Sequence, residues 1–124
     1  MNFNYVPEFE KELKKLTKKW RSLPDDLEGA KKRIKDLYIP QNENDQLLEY
    51  RNAFFNGKRA TILQQLGDGT EVVKMRLIVE SLGSNDKVRI IFIAIRSNDE
   101  IKFIELYAKN EKDREDQRRI KKYL

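Results

Sequence analysis

The sequence predicts an α+β domain, and three observations carry that prediction. Apolar residues recur at helical spacing as far as Tyr38, and alternation at period two replaces that spacing from Thr70 onward. Gly67-Asp68-Gly69, Gly83-Ser84-Asn85-Asp86 and Ser97-Asn98-Asp99 punctuate the second half as turns. The expected architecture is an N-terminal helical hairpin packed on one face of an antiparallel sheet of about four strands, followed by a C-terminal helix. Residues 1–124 fit one domain, because chains divide only well above this length.

Each element has a local cause. Pro7 suits a helix start, and Phe9, Leu13, Leu16 and Trp20 follow on one face of a helix over Pro7–Ser22. Lys11, Lys14, Lys15, Lys18 and Lys19 fill its wet face beside Glu8, Glu10 and Glu12, and Trp20 and the phenylalanines belong to the core. Pro24 restarts the chain as a second helix, with Asp25, Asp26 and Glu28 favouring its N-terminal dipole. Leu27, Ile34, Leu37 and Tyr38 form its apolar face. Ile39–Gly57 reads as a loop with one helical turn around Asp45–Tyr50.

Arg59–Leu66 begins the sheet, and the Gly67-Asp68-Gly69 turn leads into a strand over Thr70–Glu80. Val73, Met75, Leu77 and Val79 share one face of it; Val72, Lys74, Arg76 and Ile78 share the other. Val88–Ile95 is apolar on both faces, as a central strand covered on both sides would be, and Ile101–Ala108 is the last strand. Asn110–Leu124 is read as a terminal helix, with seven cations against four carboxylates over Lys109–Lys122.

Composition removes several chemistries. The 124 residues hold no cysteine and no histidine, which excludes disulfides, thiol catalysis, Cys-type zinc sites and histidine-dependent triads. Asp25-Asp26 sits at a helix start, and Glu43 with Asp45 has no second carboxylate cluster, so no metal site is expected. Gly67-Asp68-Gly69 lacks the lysine and hydroxyl residue of a phosphate-binding loop. No cofactor is expected. The apolar run Ile90–Ile95 is too short for a membrane span, and Met1–Pro7 has no signal-peptide pattern, so a cytoplasmic protein is expected. Lys and Arg number 26 against 21 Asp and Glu, and the resulting net charge of +5 suits nucleic acid or an acidic protein as partner.

The chemistry gathers on one sheet face. Lys74 and Arg76 point the same way, Arg89 opens the neighbouring strand across a turn, and Tyr107 and Lys109 share a parity at the end of the last strand. Such a face offers cations for phosphates and an aromatic surface for a base. The plainer alternative makes each a solvated strand residue or a partner for Glu71, Glu105 or Asp86.

The order of these pieces resembles a known family. Val73-Lys74-Met75-Arg76-Leu77, then Lys87-Val88-Arg89-Ile90-Ile91-Phe92, then Leu106-Tyr107-Ala108-Lys109-Asn110-Glu111 is similar to the RelE/ParE superfamily of type II toxin–antitoxin toxins, in its RelE/HigB-like branch. Phe9–Leu16 is similar to the first helix of those toxins, so the likeness covers that segment and most of the chain from Glu71 onward. It implies the RelE-like microbial ribonuclease fold and a ribosome-dependent, metal-independent endoribonuclease (an mRNA interferase). Such a toxin cuts mRNA in the ribosomal A site by attack of the message's own 2′-hydroxyl, inhibits translation, and is neutralised by an acidic antitoxin. It further implies that Lys74 orients or activates the hydroxyl, that Arg76 faces the phosphate, and that Arg89 stabilises its growing charge. Tyr107 and Lys109 fall on the RNA-stacking and leaving-group side. Several members carry an acid–base His or Tyr near the C-terminus; here the matching tail is Asn110–Asp116, followed by Gln117, and Tyr123 is the one aromatic beyond it. The superfamily also contains gyrase inhibitors of ParE type, and a non-catalytic basic binding module is the remaining alternative.

Overall fold

The computed structural model describes residues 1–40, 47–82 and 88–124. Among them are five strands: β1 (Asn2–Tyr5), β2 (Ala60–Gln65), β3 (Glu71–Leu77), β4 (Val88–Ile95) and β5 (Glu100–Ala108). There are four α-helices: α1 (Pro7–Lys19), α2 (Leu23–Leu37), α3 (Leu48–Phe55) and α4 (Gln117–Tyr123). The α+β class holds, with the strands in one mixed sheet of order β1-β5-β4-β3-β2. None of the helices is long and apolar enough to cross a membrane, among the described residues.

The antiparallel meander runs from β2 to β5. Leu66 donates its N–H to the Thr70 carbonyl at 2.8 Å to close the first turn, where Gly69 adopts φ +89°. A Cβ at Gly69 would also stand 3.0 Å from Arg96 Cδ. The four-strand expectation is corrected by β1, which adds a fifth strand parallel to β5, with Asn2 opposite Glu100 and Tyr5 opposite Phe103. Its Phe3 and Tyr5 rings lie 5.9 and 5.5 Å from that of Phe103, so the strand brings aromatic contact as well as backbone pairing.

The helices also differ from a simple hairpin. Pro7 starts α1, acidic residues occupy its first turn and lysines its last, and the helix stops at Lys19 with Trp20 as its buried cap. It packs on β5, whereas α2 packs against α3 as well as α1 and β3. The expected loop over Ile39–Gly57 contains the eight-residue α3; the turn foreseen around Asp45–Tyr50 begins outside the described residues, as do Glu43, Asp45 and the Gly83–Asp86 turn. A buried network fixes α3. Arg51 donates to both Glu71 carboxylate oxygens at 2.8 and 2.7 Å, and Tyr38 and Gln65 donate to the same group at 2.5 and 2.8 Å. Rings of Phe9, Phe103, Phe92, Tyr38 and Phe54 then run through the core with neighbouring centroids 5.3–6.2 Å apart.

The expected helix over Asn110–Leu124 shortens to α4. The buried Glu105 carboxylate takes the Asp116 backbone N–H at 2.8 Å and ion-pairs with Lys112, holding the preceding segment against the sheet. Asp116 then caps α4 by accepting from Arg119 N–H at 3.1 Å. Beyond Phe103 the edge of β5 is closed by side chains. Leu106 donates its N–H to Glu12, while Arg119 donates to the Ile104 carbonyl and to Glu12.

Candidate functional site

Strand register decides which side chains meet. Val73, Phe92 and Phe103 form one cross-strand row on the helix-covered face. Lys74, Ile91 and Glu105 form a row on the opposite face, and Arg76, Arg89 and Tyr107 form the next. A bulge makes this possible. β5 takes an extra residue at Ile104, since Phe92 pairs with Phe103 but Ile91 pairs with Glu105. Without it, Tyr107 would share the face of Phe103; with it, Glu105 and Tyr107 turn to join Lys74 and Arg76.

That face holds a cleft of about 310 Å³. All five sequence-named residues, Lys74, Arg76, Arg89, Tyr107 and Lys109, line it. Lys58, Arg59 and Asp113 line it too, and none of these was singled out from the sequence. The available signal was a Lys-Arg pair immediately after Gly57 at the start of a strand. Gly57 and Lys58 adopt φ +67° and +60°, so a lysine is held in the left-handed region at the cleft rim. A second groove of about 490 Å³, between α2 and the end of β3, shares Arg59, Met75 and Arg76 with the cleft.

Exposure separates the lining residues. Lys109 is exposed, and Lys74 and Arg76 are half-buried. Arg89 and Tyr107 are only 6% and 5% exposed. Lys112 Nζ stands 5.7 Å from the centroid of the Tyr107 ring, so the ring offers little open face for a stacking base. Burial pushes the Tyr107 hydroxyl up to about 12, helped by the charges of Glu115 and Glu105 and opposed by Arg89 and Lys112. It is therefore a neutral O–H donor at physiological pH.

The carboxylates offered as plain partners are engaged elsewhere. Glu71 lies in the Arg51 network, and Glu105 holds Lys112 and Asp116. Lys74 instead faces Glu115 at 3.6 Å, and Asp86 lies outside the described residues. No group of three or more carboxylates is placed to hold a metal ion, among the described residues. What the geometry can do is bind an anion of phosphodiester size among several cations, with arginines from two neighbouring strands and a neutral phenol alongside. No family model matches this chain, and neither a curated protein nor a solved structure matches it.

Proposed function

We propose that this protein is a metal-independent endoribonuclease of the type II toxin class, which cuts mRNA in the ribosomal A site. The supporting observation is the cross-strand row Arg76–Arg89–Tyr107, with Lys74 and Lys109 beside it in one cleft. In the reaction, the 2′-oxygen of one nucleotide gives up its proton to water and bonds to the adjacent phosphorus, and the bond to the 5′-oxygen breaks, that oxygen taking a proton from water to leave as a 5′-hydroxyl beside a 2′,3′-cyclic phosphate. Arg76 and Arg89 compensate the charge that builds on the phosphate. Lys74 orients the attacking hydroxyl, and the exposed Lys109 lies on the leaving-group side. An acidic antitoxin fits the same basic surface, and opposite charge speeds that encounter. These partners place the protein in the cytoplasm.

Induced expression in a bacterial host, with primer extension across an abundant message, tests the reading. The expected result is growth arrest with new 5′ ends confined to translated transcripts. Arg76→Ala and Arg89→Lys, checked for native circular dichroism, should each slow cleavage about 10²-fold or more, the scale for losing one donor to a developing charge. Arg89→Lys is used because Arg89 is buried and alanine would leave a cavity. Full toxicity in both variants overturns the assignment. Arrest with intact transcripts and DNA-damage signalling identifies a gyrase inhibitor instead, and harmless expression a binding module.

A further inference from the structure

Two buried side-chain polar atoms lack a hydrogen-bond partner among the described residues: the Tyr107 hydroxyl and Glu115 Oε2. Both belong to the cleft region. Tyr107 lines the cleft, and Glu115 Oε2 lies 3.6 Å from Nζ of Lys74, which lines it as well. Unmatched buried polar groups cost stability and are rare in folded proteins, so the Tyr107 hydroxyl, and a Glu115 oxygen met only by the Lys74 ammonium at ion-pair distance, call for a physical explanation.

Their chemistry is complementary. At neutral pH the phenol donates and the carboxylate accepts. A ligand group satisfying both must accept one hydrogen bond and donate another, which describes a hydroxyl. The surrounding cations Lys58, Arg59, Lys74, Arg76 and Arg89 give the cleft a positive lining that suits phosphate next to that hydroxyl. A hydroxyl flanked by phosphates is the 2′-OH of a ribose, the group that separates RNA from DNA.

We infer that Tyr107 and Glu115 form a ribose-reading pair, with Tyr107 donating to a 2′-oxygen and Glu115 accepting its proton in a hydrogen bond. The pair is held in place from both sides. Asp116, next to Glu115, is fixed by its N–H bond to Glu105 and by its capping of α4, while Tyr107 is fixed by the β5 bulge. Lys112 stands over the Tyr107 ring, and Lys74 faces the Glu115 carboxylate. The inference rests on the proposed RNA substrate and adds the residues that select it.

The test is a ribosome-free titration of the whole protein with a short oligouridylate and its 2′-deoxy counterpart, followed by fluorescence anisotropy at low salt. Wild-type protein should favour the ribose strand about tenfold, the scale of a hydrogen bond to a charged group. Tyr107→Phe should cut that preference to about threefold by weakening the ribose strand alone. Glu115→Ala should cut it similarly, while tightening both strands through loss of a negative charge. A merely structural role would weaken both strands alike and leave the ratio unchanged. Equal affinities in wild type, no binding of either strand, or an undiminished ratio in both variants overturns the pair. Intact transcripts on induction together with a ribose preference lost in the variants would instead sink the nuclease reading and leave an RNA-binding cleft.

Discussion

Lys58 holds a backbone conformation that an L-residue adopts at a cost, and it does so at the cleft rim. Lys58→Gly should therefore raise unfolding stability by about 1 kcal/mol in urea titration while weakening RNA binding. Glu71 makes the opposite case. Burial pushes its carboxyl up, but hydrogen bonds from Arg51, Tyr38 and Gln65, with the Arg51 charge, bring it below the ordinary value of 4.5. A carboxyl lowered in the folded state contributes stability in full above the unfolded value, and that contribution is lost as pH falls through the folded one. Stability should thus decline below about pH 4.5, with a flatter acid limb in Glu71→Gln. Arg51→Ala leaves a buried charge unpaired and should cost about 3–5 kcal/mol, measured by chemical denaturation. At this scale the shared face of Lys74, Arg76 and Arg89 was legible, because Lys74 and Arg76 interrupt an apolar alternation and Arg89 opens the next strand. It could not show how Tyr107 joins them, since a period-two reading does not reveal the extra residue at Ile104 that changes the face.

Elements with a strong period were legible, and those stabilised from a distance were not. β3 and β4 declare themselves by alternation and by an apolar run. β1 has only four residues, and its partner strand begins some 98 positions later, so no local pattern announces it. α3 lacks a clean apolar stripe, and its support comes from the buried Phe54 and from Arg51 on Glu71. α4 is shorter than its charge pattern predicts, because nothing in Asn110–Asp116 indicates that Glu105 binds that stretch. The attachment of α4 to α1 gives a prediction for this scale. The Tyr123 hydroxyl donates to Glu8 at 2.5 Å, and that bond, with the Glu8 backbone amide and Lys122, holds the Glu8 carboxyl down at about 2. Tyr123→Phe should move the Glu8 titration upward in NMR and speed amide exchange in α4.

For the molecule as a whole, a net charge of +5 is less informative than its placement, with several cations lining one cleft. Single-strand affinity should fall steeply with salt. A strand with about three phosphates in contact loses about two decades of affinity per decade of salt, and Lys109→Ala should reduce that slope by about 0.7. Binding measured between 50 and 200 mM salt, about the range over which such slopes are read, checks both values.

The parallel union of β1 with β5 has a consequence in time. Asn2 leaves the synthesis machinery ahead of its partner Glu100 and must wait for it, a gap of about 5–20 s at rates of roughly 5–20 residues per second. Tyr107, Lys109 and Glu115 emerge later still. The strand that completes the sheet therefore also completes the cleft, and a half-made chain carries neither. If the cleft cuts messages as proposed, that capacity is missing until the chain through β5 has been made and paired.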